Sequence, residues 1–161
     1  ELCIVEAAKA RQARFDHALE HGVESAVLNS LQMLKASGFK LALISNASSP
    51  EVQAWNRSPL ASFFDIAVFS CETGYCKPEP DIYLRTLQGL EEKAQNCLFI
   101  GDGGSDEHFG AAAVGMKPVL LSHYLDHEDT LLRLEKYQGV IDHHIESLDG
   151  LLALLNTEPA G

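Results

Sequence analysis

Leu98-Phe-Ile-Gly-Asp-Gly-Gly-Ser-Asp-Glu107 is the segment of this chain that says most about its architecture. A short apolar run that stops abruptly at glycines is typical of a buried strand followed by a turn. Asp102 would then lie at the carboxyl end of the strand, the edge where open α/β sheets bind their ligands. Carboxylate oxygens suit Mg²⁺, so the segment predicts a metal-binding acid. From this segment alone, a glycine-rich turn with solvated acids is an equally good interpretation.

A second apolar run, Leu41-Ala-Leu-Ile-Ser-Asn46, ends on a hydroxyl and an amide. If this run is another strand of the same sheet, the Ser45 hydroxyl and the backbone N–H of Asn46 lie at the same edge as Asp102. Hydroxyl and N–H donors bind anions, so this position is a candidate phosphate site. Taken singly, Ser45 is better explained as a helix N-cap or a turn residue.

A lysine follows on a predicted loop. Lys77 directly precedes Pro78, which cannot continue a preceding strand and commonly begins a helix. The loop would hold an ammonium group that can pair with phosphate oxygens or with a nucleophilic carboxylate. An ordinary surface lysine is the better explanation of Lys77 on its own.

Together, these segments resemble a known family. Ser45-Asn46, then Lys77-Pro78, then Gly101-Asp102 with Asp106 resemble motifs two, three and four of the haloacid dehalogenase-like hydrolases, a superfamily dominated by Mg²⁺-dependent phosphatases. The resemblance extends over about residues 23 to 155 and includes the flanking segments Phe63-Phe-Asp65 and Gly110-Ala-Ala112. It implies that the protein acts on a small phosphorylated substrate.

The resemblance also implies roles for individual residues. Ser45 and Asn46 would bind the phosphoryl group, Lys77 would steady the nucleophile and the phosphoryl charge, and Ser45 and Lys77 are the candidate catalytic residues. Asp102 would bind Mg²⁺, with Asp106 as a supporting acid. The role of Glu107 stays open, because an acid there is also favoured at the positive end of a helix dipole.

The nucleophile that the resemblance implies is absent from the sequence. In the family it lies in an Asp-x-Asp segment after an N-terminal strand, and no such triplet occurs between Glu1 and Gly161. The chain also begins with Glu rather than Met. We therefore expect a fragment that lacks the first strand, the nucleophile and most of a helical cap. Because the mechanism that the resemblance implies depends on covalent catalysis by an aspartate, we expect this chain to be inactive or nearly so by itself.

Predicted helices and strands alternate along the chain, with strands at 40–45, 65–70, 97–101, 118–121 and 139–142. Such alternation predicts an α/β fold with a parallel sheet between helical layers, and the resemblance implies a three-layer Rossmann-like core. The predicted organisation is a cap remnant at 1–22, a core domain at 23–156 and a flexible tail at 157–161.

The resemblance places the missing strand between the strands at 40–45 and 97–101. Unpaired strand edges invite a partner. We therefore expect either that these two strands close onto each other, or that a second copy of the chain or an N-terminal fragment fills the slot.

Composition excludes some partners. The formal net charge of -11 argues against nucleic acid and anionic membranes, which need a basic face. No apolar stretch approaches the length of about 20 residues that spans a membrane, so we expect a soluble cytoplasmic protein. The four cysteines contain no Cys-x-x-Cys pair and are expected to be free thiols.

Other functions remain open at this stage. The chain could be a non-catalytic remnant that acts as a binding module, or a dehalogenase or phosphotransferase of the same superfamily. His123 and His127 have a spacing that can hold zinc, and Asp142-His-His144 resembles a signature of Mn²⁺-dependent phosphoesterases. The latter family needs further aspartate clusters, which this chain lacks.

Overall fold

The computed structural model describes residues 2–157, with side chains described for residues 5–155. The chain consists of two compact units, Glu1–Gly74 and Tyr75–Gly161, called here the first and second units. Each unit contains helices and a sheet whose strands are all parallel. The predicted α/β class is therefore confirmed.

The first unit has a two-stranded parallel sheet, β1–β2, in which Ala42 is aligned with Ile66 and Ser45 with Phe69. Its helices and strands, in chain order, are α1 Leu2–His21, α2 Ser25–Ala36, β1 Ala42–Ser45, α3 Ser49–Val52, β2 Ile66–Phe69 and α4 Ser70–Thr73.

Asp65 fixes the point at which the two strands of the first unit begin. Its carboxylate accepts hydrogen bonds from the backbone N–H of Leu41 at 2.7 Å and from Lys35 Nζ at 2.7 Å. Its own backbone N–H donates to the carbonyl of Leu41. The Lys35 ammonium, followed by the Leu41 N–H, holds the pKa of Asp65 below its usual value. This network sets the register that places Ser45 at the carboxyl end of β1.

The second unit has a three-stranded parallel sheet in the order β3-β4-β5. Its elements are α5 Pro80–Leu90, β3 Leu98–Gly101, α6 Glu107–Ala113, β4 Lys117–Leu121, α7 His127–Lys136, β5 His143–Ile145 and α8 Leu148–Thr157. Pro80 occupies the first turn of α5, and the buried positions Ile82, Tyr83, Thr86 and Leu87 recur at helical spacing behind it. The α5 helix therefore forms where an N-terminal proline precedes an apolar stripe.

A histidine lies in the core of the second unit. His108 is fully buried, between the rings of Phe99 and Tyr137. Its Nε2 donates to the carbonyl oxygen of Val119 at 3.1 Å, so the neutral ring carries its proton there. Its Nδ1 has no hydrogen-bond partner among the described residues. Burial lowers the pKa of His108 below its usual 6.5, although Glu107 and Asp102 oppose the shift.

Most predicted elements lie within a few residues of the observed ones, but the strand predicted at 139–142 is wrong. Gly139 has a φ of 78°, and the backbone N–H groups of Val140 and Ile141 both donate to the carbonyl of Tyr137. These residues therefore form a turn after α7, and β5 begins only at His143. The apolar pair Val140-Ile141 thus belongs to the turn and not to the strand.

The remaining structural expectations have mixed outcomes. Among residues 2–157, β1 pairs with β2 and β3 pairs with β4, and the expected closure of the strands at 40–45 and 97–101 stays a prediction. Within the described part of the chain, Cys71, Cys76 and Cys97 form no disulfide. The boundaries proposed for the cap remnant and the core stay a prediction. Of the predicted tail, Thr157 ends α8 and residues 158–161 lie outside the described part of the chain.

Among residues 2–157, none of the helices combines the length and the apolar character that a membrane span requires.

We expect Gly110→Ala to destabilise the second unit. A Cβ at this position of α6 would lie 2.6 Å from the carbonyl oxygen of Pro78 and 2.7 Å from the Tyr83 ring. Such overpacking costs about 1–3 kcal/mol of unfolding free energy, measurable by urea denaturation. Ala113→Ser, at an exposed position of the same helix, should change that free energy by less than about 0.5 kcal/mol. Equal stabilities of the two variants would contradict this packing.

Stability should fall at mildly acidic pH because of His108. Its pKa is lowered in the folded chain, so below pH 6.5 the unfolded chain binds a proton that the native chain does not. The free energy of unfolding should then decrease by up to about 1.4 kcal/mol per pH unit for this one group. Denaturant unfolding at pH 7.5 and 5.5, followed by circular dichroism, should show a smaller difference in His108→Phe. An unchanged difference would refute the assignment.

Candidate active site

Lys77 and Glu107 form a buried ion pair in the second unit. Lys77 Nζ lies 2.6 Å from Glu107 Oε2, and the two side chains are only 15% and 5% exposed. Lys77 belongs to the loop before α5, whereas Glu107 is the first residue of α6. A charged pair with so little water around it is costly to break, because removing one partner leaves the other charge uncompensated. The pair therefore fixes the lysine in one position.

Glu107 also holds the loop that follows β3. Its second carboxylate oxygen, Oε1, accepts the backbone N–H of Gly103 at 2.9 Å. Its backbone carbonyl accepts the hydroxyl of the buried Tyr83 at 2.8 Å. Burial, followed by the negative charge of Glu107, raises the pKa of Tyr83, which keeps this hydroxyl a donor. Lys77 and the backbone beside Asp102 are thus connected through a single carboxylate.

The glycine at the end of β3 makes room for this carboxylate. A Cβ on Gly101 would overlap Glu107 Oε1, so any other residue at this position would displace the acid. The next glycine, Gly103, has a φ of 80°, and a Cβ there would lie 2.7 Å from the Tyr137 ring. Both positions therefore need glycine, for different steric reasons. A side chain at Gly101 would clash with Glu107, and one at Gly103 would clash with Tyr137.

Asp102 lies at the turn, with an exposed carboxylate. Its Oδ1 accepts the backbone N–H of Gly104 at 2.8 Å, which restrains the side chain at the carboxyl end of β3. The carbonyl oxygen of Gly103 accepts the Tyr137 hydroxyl at 2.7 Å. Ser105 and Asp106 both have positive φ values, of 53° and 52°, a conformation that costs energy for residues other than glycine and is concentrated at functional sites.

Asp106 occupies a different environment from Glu107. Its Oδ1 lies 2.6 Å from Lys136 Nζ, and the two side chains are 55% and 39% exposed. This hydrogen bond raises the pKa of Lys136. Exposed pairs of this kind contribute little to stability. The buried acid that contacts Lys77 is therefore Glu107, the residue whose role the sequence left open. No pattern in the sequence distinguished it from the adjacent Asp106.

Ser45 and Asn46 lie at the carboxyl end of β1 in the first unit, Ser45 half-buried and Asn46 exposed. The turn after them is held by Ser70, whose hydroxyl donates to the carbonyl of Ala47 and accepts its N–H at 3.0 Å. Helix α3 then begins with a capping box in which Ser48 and Glu51 bond each other's backbone. Ser45 is thereby placed at a strand end, as predicted. Its convergence with Lys77 and Asp102 stays a prediction.

The described residues contain no group of three or more His, Cys, Asp or Glu side chains arranged to hold a metal ion. The structure thus gives no support to zinc at His123 and His127 or to Mn²⁺ at 142–144. Mg²⁺ is less demanding of protein ligands, because it keeps several waters and commonly binds through one or two carboxylates plus substrate phosphate. The exposed carboxylate of Asp102 fits that requirement as one such ligand.

The family model of the haloacid dehalogenase-like hydrolases matches residues 5–113. This chain belongs to that family of hydrolases. Among solved structures, a 2-haloacid dehalogenase from Pseudomonas syringae is similar to it with a TM-score of 0.66 and 26% identity, over 83% of this chain and 53% of that one. The likeness agrees with a Rossmann-like core.

Phosphatases are among the related sequences. The phosphoglycolate phosphatase of Aquifex aeolicus is 31% identical over 72% of this chain and 57% of its own length. The glyceraldehyde 3-phosphate phosphatase of Pyrococcus furiosus is 30% identical over 80% of this chain and 52% of its own length. The chain thus spans little more than half the length of these relatives.

Replacing Glu107 should be far more harmful than replacing its neighbour. Glu107→Gln would leave the buried Lys77 without its counter-charge, and we expect a loss of about 3 kcal/mol in unfolding free energy. Asp106→Asn, the matched control, removes an exposed pair and should cost less than about 1 kcal/mol. Urea denaturation of the three proteins checks this. Similar losses in both variants would show that the Lys77 pair does not stabilise the fold.

Proposed function

We propose that this chain forms the phosphate- and magnesium-binding part of a phosphatase that hydrolyses a small phosphomonoester through an aspartyl-phosphate. The observation that carries the proposal is the buried Lys77–Glu107 pair, whose acid also binds the backbone next to Asp102. Through Glu107, an immobilised lysine is connected to the backbone next to an exposed acid at a strand end, and the two groups supply charges of opposite sign. Phosphoryl transfer needs such positioned charges more than it needs other chemistry from the protein.

Each candidate residue has a role in this proposal. The Ser45 hydroxyl and the Asn46 backbone N–H bind phosphoryl oxygens, and Lys77 stabilises the negative charge that develops on the phosphoryl group. Asp102 holds Mg²⁺, and Asp106 supports it from its ion pair with Lys136. When bound, the metal neutralises charge on the phosphoryl group.

The related phosphatases support the type of reaction, but their names do not agree on a single substrate. Their names refer to phosphoglycolate and to glyceraldehyde 3-phosphate, and other relatives at 28% identity are pyrophosphatases. The feature these substrates share is a phosphoryl group on a small molecule. We propose only that class of substrate for the present chain, with no nucleic acid or membrane as partner.

The nucleophile must come from outside these 161 residues, because they contain no Asp-x-Asp segment. Among the described residues, β1 pairs only with β2, and β3 pairs only with β4. Both strands therefore have an edge whose backbone can pair with a further strand. We propose that a segment of an N-terminal fragment or of a second copy pairs there, and that the chain by itself does not turn over substrate.

Dehalogenation is the second candidate, because a 2-haloacid dehalogenase is among the similar solved structures, at 26% identity. The two reactions release different products. Assays for inorganic phosphate and for halide on the same preparation distinguish them.

We expect the isolated chain to bind Mg²⁺ and yet to leave an aryl phosphate unhydrolysed. Isothermal titration should show Mg²⁺ binding that Asp102→Asn weakens by at least about tenfold, because that variant loses the charged ligand. Asp81→Asn is the matched control and should change the affinity by less than about threefold, since Asp81 is an exposed acid of α5 with no role in the proposed metal site.

Two results would overturn the proposal. Mg²⁺ affinity that is unchanged in Asp102→Asn would remove the metal site. Rapid hydrolysis of p-nitrophenyl phosphate by the homogeneous chain, lost in Asp102→Asn, would show that no outside nucleophile is needed.

A further inference from the structure

The first unit contains a cavity of about 330 Å³ at the carboxyl end of β1. Ser45 and Asn46 border it, so it adjoins the position where the proposed function places the phosphoryl group. Volumes of about 300 Å³ and above are typical of sites for small ligands. The rest of its wall is mainly apolar and aromatic, and includes Phe15, Leu19, Leu43, Val52, Trp55 and Phe69.

The wall of this cavity is held in place by contacts on both sides. The Trp55 ring lies edge-on to Phe69, with ring centroids 5.5 Å apart, and tilted against Phe64 at 5.9 Å. Arg57 holds helix α1 in position, because it forms ion pairs with two residues of that helix, Glu20 and Asp16. The cavity is thus formed without a ligand, and an apolar group entering it needs little rearrangement.

One acid borders the cavity. The carboxylate of Glu51 accepts the backbone N–H of Ser48 at 2.7 Å and its hydroxyl at 2.6 Å. These hydrogen bonds lower the pKa of Glu51, so it carries a negative charge at neutral pH. A carboxylate on the group that enters the cavity would be repelled, whereas an uncharged group there would not.

We propose that this cavity receives the organic part of the substrate, and that this part is an uncharged apolar group, aromatic or branched aliphatic. The inference rests on the proposed function, because it takes Ser45 as the ligand of the attached phosphate. The substrate class is then a phosphomonoester with an apolar alcohol or phenol. This differs from phosphoglycolate, the substrate in the name of one relative, which carries a carboxylate.

The chain provides its own probe of this cavity, because Trp55 is its single tryptophan and lines the wall. Non-hydrolysable phosphonates can therefore be titrated in the presence of Mg²⁺ while tryptophan fluorescence is followed. Phenylphosphonate should bind at least about tenfold more tightly than methylphosphonate, since its ring leaves water. Phosphonoacetate, which carries a carboxylate, should bind no more tightly than methylphosphonate. Benzyl alcohol tests the apolar part without the phosphonate.

Two variants on the same helix test the location. Ala18 is an exposed residue of α1 that borders the cavity, so Ala18→Phe should fill it from the surface. Ala13 is also exposed on α1 but does not line the cavity, so Ala13→Phe is the matched control. Ala18→Phe should lower the affinity for phenylphosphonate about tenfold and change the affinity for methylphosphonate by less than about twofold. Ala13→Phe should change neither affinity. Circular dichroism checks that both variants keep the fold.

Ser45→Ala separates this inference from the proposed function. It should lower the affinity for both phosphonates equally if Ser45 binds the phosphate.

The possible results distinguish the two proposals. If Ser45→Ala lowers both affinities, but phenyl- and methylphosphonate bind alike and Ala18→Phe has no effect, the phosphate site stands and the apolar cavity is refuted. If phenylphosphonate binds no better than benzyl alcohol and Ser45→Ala changes nothing, the phosphate site itself fails and the substrate class fails with it. Absence of any fluorescence response refutes both.

Discussion

The buried carboxylate of Glu107 is the group on which the second unit depends. A carboxylate without access to water needs a positive partner and a hydrogen-bond donor for each of its oxygens. One oxygen accepts Lys77 and the other accepts the backbone of Gly103. Because Glu107 is buried, each of these contacts is hard to exchange for water. The acid therefore joins the loop before α5 to the turn after β3.

This anchor has consequences for the chemistry of the strand ends. The ion pair with Glu107 fixes the position of the Lys77 ammonium group. Asp102, at the turn after β3, remains exposed and accessible to a ligand. The left-handed conformations of Ser105 and Asp106 are tolerated because Glu107, Tyr137 and Lys136 hold the surrounding loop. In the first unit, Asp65 has the corresponding structural role, since it sets the register that places Ser45 at the end of β1. Both strand ends thus depend on an acid that is not itself proposed to touch the substrate.

The predictions from sequence succeeded where a local pattern was sufficient. Helix α5 follows from a proline and an apolar stripe, and β1 and β3 follow from short apolar runs that stop at small residues. They failed at β5, where an apolar pair belongs to a turn closed by hydrogen bonds to Tyr137. The distinction between Asp106 and Glu107 was also out of reach. Two adjacent acids look alike in a sequence, and only the direction of the chain after Gly103 decides which one is buried.

The sequence by itself determined the α/β class, the order of the strand-end residues and the membership of the hydrolase family, because these depend on local periodicity and on short motifs. It also determined that no Asp-x-Asp segment lies within these residues. Only the tertiary structure decided which acid meets Lys77, which histidine is buried without a partner for Nδ1 among the described residues, and that a cavity adjoins Ser45. These features arise from contacts between residues distant in the chain, such as the 30 positions that separate Lys77 from Glu107, and packing rather than local pattern selects them.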